Sequence, residues 1–226
     1  MLGRKIIALI MALAMVMTSA AFVFADEGTT EGTDPVVTTE DQTEAPGKAD
    51  QVIKVAAEKK VVVGRADKIA VKLEKGDGAL SFETSDKKVV TVDKNGKIKA
   101  KAVGAATITI KAAETEKFNA AVAEVKVTVV PKAITITSLV CKKHGKFTVK
   151  WKKLKDVTGF EVQFCKAKNF KKGAKIKAVK SGKATTATVK KLKKKARFYV
   201  RIRVYKTVNG VKYYSDWSKA KSIKIK

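Results

Sequence analysis

Residues 85–110 read SDKKVVTVDKNGKIKAKAVGAATITI. Val89 to Val92 is a short β-branched run, and Ile98 to Ala100 and Ala106 to Ile110 are two more. Between the first two lies Asp93-Lys94-Asn95-Gly96-Lys97, where Asn-Gly supplies the positive φ angles that a tight hairpin needs. Asp93-x-Asn95-Gly96 also begins as a calcium loop begins, but the later oxygen ligands and the terminal Glu are missing, and the hairpin accounts for the residues. Outward from this hairpin the same texture continues. Val61 to Val63, Ile69 to Leu73, Ala79 to Phe82 and Val122 to Val130 are further short apolar runs. Beyond Pro131 come Ile134 to Leu139, Phe147 to Trp151, Phe160 to Phe164, Ile176 to Val179, Ala184 to Val189, Phe198 to Tyr205 and Ile223 to Ile225. No stretch after residue 50 sustains a helical period, and Gly, Asn, Asp and Lys turns separate the runs. About seven short strands in each half predict an all-β chain of two tandem β-sandwiches, 51–131 and 132–226.

The chain has 226 residues with 49 Lys and Arg, 21 Asp and Glu, one His and two Cys, for a formal charge of +28. A hydrophobic share of 45% excludes wholesale disorder, and two cysteines exclude a dense disulfide scaffold. Residues 1–25 predict an export signal. Arg4 and Lys5 precede the apolar run Ile6 to Met17, and small residues allow a cut after Ala21 or Ala25. The alternative is an uncleaved anchor of minimal spanning length. No later segment is apolar enough to cross a membrane, and no Leu-Pro-x-Thr-Gly sorting signal stands near the C-terminus. The expected mature protein is secreted, extracellular, or held at a cell wall without a covalent link. Residues 26–50 carry eight acids and one base, lack an apolar period, and read as a disordered acidic linker. Residues 132–226 hold thirty bases and three acids.

The run from Ser85 to Ile110 resembles the bacterial immunoglobulin-like domain of group 2. The Ser-Asp pair, the Val-x-Val-Asp strand, the glycine hairpin and the spacing of Ala100 or Ala102, Gly104, Ala106 or Thr107 and Ile108 carry the resemblance, which covers roughly residues 52–130. It implies a non-catalytic module of the kind used as surface adhesin, spacer or accessory domain.

The second half resembles a fibronectin type III domain. Phe147, Val149 and Trp151 share one face of a strand, as do Phe160, Val162 and Phe164 in the next. The resemblance makes Trp151 the buried tryptophan and puts Phe198 where the family has a corner tyrosine. The opposite face of that strand carries Tyr199, Arg201, Arg203 and Tyr205. Tyr-Ser-Asp-Trp-Ser, residues 214–218, looks like the Trp-Ser-x-Trp-Ser box of some fibronectin-type receptor domains. It implies that Trp217 stacks on Arg201 or Arg203 as a structural brace, with Tyr213 to Ser218 in the next strand.

Catalytic chemistry finds no constellation. His144 lies in the turn Lys142-Lys143-His144-Gly145-Lys146 with no second histidine and no nucleophile motif. Cys141-x-x-His144, with Cys165 as a third ligand, lacks a fourth, so neither metal nor cofactor is expected. Cys141 and Cys165 end strands that reach the same pole of a fibronectin-type sandwich, and export would permit a disulfide. Alternation, however, puts Cys165 with Glu161 and Gln163 on the outer face. A bridge and two free thiols are both open readings.

The lysines carry the functional reading. Lys190, Lys191, Lys193, Lys194, Lys195 and Arg197 place six cations in eight residues, and Lys152 to Lys155 and Lys166 to Lys172 extend the field. The run 192–197 resembles clusters that bind sulfated glycans. Such a field fits an anionic cell-wall polymer or a host glycan, and equally a solvated, solubilising face. Lys greatly exceeds Arg, which serves nucleic-acid recognition poorly, so nucleic acid is not expected as a partner. Two readings follow: a surface-binding, adhesion-type modular protein whose basic C-terminal domain touches an anionic surface, and a structural spacer or accessory subunit of an extracellular complex with a protein partner. The Lys-rich, Cys-poor exported style resembles secreted proteins of Gram-positive bacteria.

Overall fold

The computed structural model describes residues 47–226. The export signal and nearly all of the acidic linker lie outside the described residues. The first half forms β1 (Ala49–Asp50), β2 (Val52–Val55), β3 (Glu58–Val62), β4 (Ala66–Lys68), β5 (Val71–Lys75), β6 (Leu80–Thr84), β7 (Val90–Val92), β8 (Lys97–Ala100), β9 (Gly104–Ala112), β10 (Phe118–Asn119) and β11 (Ala121–Val130). Its main sheet has the order β3-β11-β9-β6, with β3 and β11 parallel. A three-stranded sheet β4-β8-β7 and the pair β2-β5 complete the wrapping. Alternation builds the core: Ile108 and Ile110 of β9 and Val125, Val127 and Val129 of β11 point inward with Val90 and Ile98.

Chain pairing begins at Ala49, two residues inside the stretch read as linker. β1 runs parallel to β10, with Ala49 opposite Phe118 and Asp50 opposite Asn119. The polar Lys-Ala-Asp sequence has no apolar alternation to announce a strand. Gln51 then plugs this end of the sandwich. It is buried, its Nε2 donates to the carbonyls of Ala113 and Asn119 at 2.7 and 2.8 Å, and its Oε1 accepts from the Gly78 amide at 2.9 Å. A Cβ at Gly78 would lie 2.1 Å from the Ala113 carbonyl oxygen, so only glycine fits there.

The Asp93–Lys97 hairpin forms, but by a different turn from the one expected. Only Gly96 has positive φ (73°), not Asn95. The Gly96 amide donates to the Asp93 carbonyl, and the Asp93 amide to the Lys97 carbonyl, at 3.0 Å each. The Asp93 carboxylate caps the loop from outside, accepting from the Asn95 and Lys97 amides at 2.9 Å each.

The second half forms β12 (Ile136–Val140), β13 (Phe147–Trp151), β14 (Gly159–Cys165), β15 (Lys175–Val179), β16 (Thr186–Val189), β17 (Arg197–Val208), β18 (Val211–Tyr214) and β19 (Lys221–Lys224). One sheet has the order β12-β13-β16. The other has β15-β14-β17-β18, with β19 pairing the first part of β17. The two sheets enclose Phe147, Val149, Trp151, Phe160, Val162, Val200, Ile202 and Val204. Trp151 is 3% exposed, its Nε1 donates to the Ala184 carbonyl at 2.9 Å, and its ring lies 5.0 Å from that of Phe160. Burying an aromatic pair of this kind is worth several kcal/mol of transfer free energy, roughly 2–3 per side chain. The described residues are therefore all-β, two sandwiches in tandem.

Candidate functional site

β17 is long enough to serve two partners. Residues 197–200 pair with β19 and residues 205–208 with β18, leaving Ile202 and Val204 between. Regular strand ends at Tyr214, so Ser215 to Ser218 are not strand, contrary to expectation. These residues pair with β17 through hydroxyls as well as backbone. Ser215 N donates to the Val204 carbonyl while its Oγ accepts from Val204 N, each at 3.0 Å. Ser218 repeats the arrangement on Ile202 at 2.8 and 3.0 Å. Two serines three apart thus satisfy backbone groups that a regular edge strand would have taken.

This pairing lays Trp217 across the outer face of β17. Arg201 sits 4.7 Å and Arg203 4.4 Å from its ring centroid, so it meets both guanidinium groups, not one. Beyond Arg203 lies Tyr214 at 3.9 Å, and beyond Arg201 lies Phe170 at 4.2 Å. The result is a five-layer stack: Phe170, Arg201, Trp217, Arg203, Tyr214. β14 supplies the acceptors directly opposite, where Gln163 pairs Arg201 and Glu161 pairs Arg203 in register. Arg201 Nε donates to Gln163 Oε1 at 2.7 Å, and Arg203 donates to Glu161 Oε2 through Nε at 2.8 Å and Nη2 at 2.7 Å. Burial, helped by the neighbouring Arg203 charge, moves the Arg201 pKa down from its ordinary value. Burial and the Glu161 carboxylate push the Tyr214 phenol up against the pull of Arg203.

Phe170 was not singled out in the sequence, and it connects the stack to the lysines. It stands in the left-handed region (φ 56°) of the loop after β14, and it is buried. Cys165 lies under the same loop. The expectation that it faces solvent fails: it is 2% exposed, because the loop folds over the end of β14 where alternation would otherwise meet water. Cys165 Sγ donates to the Lys172 carbonyl at 3.0 Å and accepts from Ala167 N at 3.4 Å. Cys141 Sγ has other partners, Lys143 O and Lys226 N, and both cysteines are free. The disulfide reading is corrected accordingly. His144 is exposed in its turn.

The loop over Cys165 and the segment after β16 face one another across a cleft of about 690 Å³. Lys166, Lys172, Lys175, Lys190, Lys191 and Lys193 line it, and Phe164, Leu192 and Phe198 supply apolar lining. Half of the 190–197 cluster therefore converges here. Lys194, Lys195 and Arg197 do not line the cleft, and Arg197 donates to Ser222 Oγ at 3.4 Å. Phe198, in the corner-tyrosine position, packs on Phe164 with ring centroids 6.2 Å apart. The three acids of residues 132–226 are all engaged away from the cleft. Asp156 pairs Lys206, Glu161 pairs Arg203, and Asp216 pairs Lys60 of the first sandwich. None of the six cleft lysines has a carboxylate partner among the described residues.

The hairpin and its flanks carry a similarity to known proteins. Residues 68–114 match the family described as intimin, immunoglobulin-like domain. That span runs from the end of β4 to just past β9. No curated protein matches the chain. Among solved structures, the FN1–FN3 domains of chicken CNTN1 align at 12% identity over 80% of this chain and 68% of theirs, with a TM-score of 0.39. The fn3 domain of human contactin 1 aligns at 15% identity over 42% and 79%, with a TM-score of 0.34. A myokine structure aligns at 16% identity over 42% and 97%, with a TM-score of 0.35.

Proposed function

We propose that this chain is an extracellular, non-catalytic, adhesion-type modular protein whose C-terminal sandwich binds anionic polymers of a cell wall or a host surface. The observation that carries the reading is the unopposed charge of that sandwich. Its three carboxylates, Asp156, Glu161 and Asp216, are each tied to a named cation, so no other cation of this sandwich has a carboxylate partner among the described residues. Charge of one sign at this density costs stability by self-repulsion and raises the local concentration of anionic partners. The signal-like N-terminus and the similarity of residues 68–114 to the intimin immunoglobulin-like domain support a place outside the cell.

Co-sedimentation with isolated bacterial cell walls across a salt series tests the proposal. The chain pellets at low salt and releases as salt rises past the point where the Debye length falls below about 8 Å. A chain that binds neither walls nor a sulfated polysaccharide at any salt concentration fails this proposal and leaves the spacer reading with a protein partner.

A further inference from the structure

We infer that the lysine-rimmed cleft is a discrete seat for a short anionic oligosaccharide, with the C–H face of a sugar ring on its apolar floor and sulfate or phosphate groups on its rim. The inference rests on the reading of this sandwich as a polyanion-binding module, and it goes further in locating the contact and naming the ligand class. Diffuse charge needs no cleft, whereas here the two segments flank an open one of about 690 Å³, within the usual range of ligand sites. The floor of Phe164, Leu192 and Phe198 offers apolar contact that inorganic polyphosphate cannot use. Lysine ammonium groups are compact charges on flexible stems, suited to tetrahedral anions at varied positions on a sugar.

The walls are held in place. Leu192 N donates to the Gly145 carbonyl and Lys195 N to the Ile225 carbonyl, each at 2.9 Å. The opposite wall is fixed by the Cys165–Lys172 bond and by Phe170 stacked on Arg201. Lys191 adopts φ 59°, a left-handed conformation that is unfavourable for a non-glycine residue. Rigid walls reduce the ordering cost of binding.

Isothermal titration of the whole chain with a sulfated tetrasaccharide, a phosphorylated tetrasaccharide and a linear inorganic polyphosphate of equal charge tests the seat. Saturable one-to-one binding of at least one oligosaccharide is expected, roughly tenfold tighter than polyphosphate, and the tighter arm identifies the source of the anion. Removing three rim charges together (Lys166→Gln, Lys175→Gln, Lys193→Gln) loses about a hundredfold in affinity, since charge-assisted contacts are lost. Removing the same charge outside the cleft (Lys142→Gln, Lys194→Gln, Lys224→Gln) costs only about twofold through the screened field. Equal losses in the two triple variants overturn the seat and leave polyanion binding as diffuse charge. So does wall binding without any oligosaccharide binding. Rim-dependent binding to anionic phospholipid vesicles alone overturns it in favour of a membrane surface. No binding to walls or to any of these ligands at low salt sinks both readings.

Discussion

Trp217 is shared by two guanidinium groups, so its removal leaves Arg201 and Arg203 as adjacent like charges with no ring between them. Trp217→Ala is expected to cost about 2–4 kcal/mol in urea denaturation, combining lost packing with two cation–π contacts. A loss below about 0.5 kcal/mol would show that the stack is ornamental. Tyr214 gives a second test at this scale. Its folded pKa lies above the ordinary 10.0, so the fold favours the protonated phenol. Its contribution is full below the unfolded value and is lost as pH rises through the folded one. In an alkaline absorbance titration Tyr214→Phe should delete a component that ionises above the ordinary phenol value, and deletion of a component below it would contradict the placement. The thiols give a third. Cys141 should react with a thiol reagent in the native protein, and Cys165 only after denaturation. Two thiols protected even under denaturing, non-reducing conditions would restore the disulfide.

At the scale of elements, the Asp93 hairpin ties a local turn to acid stability. The amides of Lys97 and Asn95 donate to the charged carboxylate and hold its pKa below the ordinary 3.8. The folded value therefore lies below the unfolded one. The contribution is full above about pH 4 and drains as pH falls through the folded value. Asp93→Asn keeps an acceptor but cannot titrate, so thermal unfolding followed from about pH 5 to pH 2 should fall less steeply in the variant. Parallel slopes would remove Asp93 from the account. The strands themselves were legible where β-branched residues alternate, as in Val125-Lys126-Val127-Thr128-Val129. They were illegible in β1, β4 and β10, whose Ala-Asp, Ala-Asp-Lys and Phe-Asn carry no period and pair only with one neighbouring strand each. The positive φ expected at Asn95 failed for a related reason. The Asp93 carboxylate caps the turn from outside, and one left-handed glycine then closes it.

For the whole molecule, the basic half and its division from the less charged half were plain in the sequence, because charge is counted without knowing the fold. Which lysines converge was not. The run 190–197 reads as one cluster, yet Leu192 packs half-buried against the core, with Lys190, Lys191 and Lys193 at the cleft and Lys194 and Lys195 outside. Lys166, Lys172 and Lys175 reach the same cleft from another loop, and its position depends on Phe170, a residue with no local signal. Cys165 was misplaced for the same reason, since alternation cannot foresee a loop that folds back. Hydrogen exchange of the whole chain, with and without a sulfated polysaccharide at low salt, tests the central claim most directly. Slowed exchange confined to residues 166–175 and 190–195 is the predicted result. Protection centred on the first sandwich, or none anywhere, would contradict the claim that the basic C-terminal sandwich makes the contact.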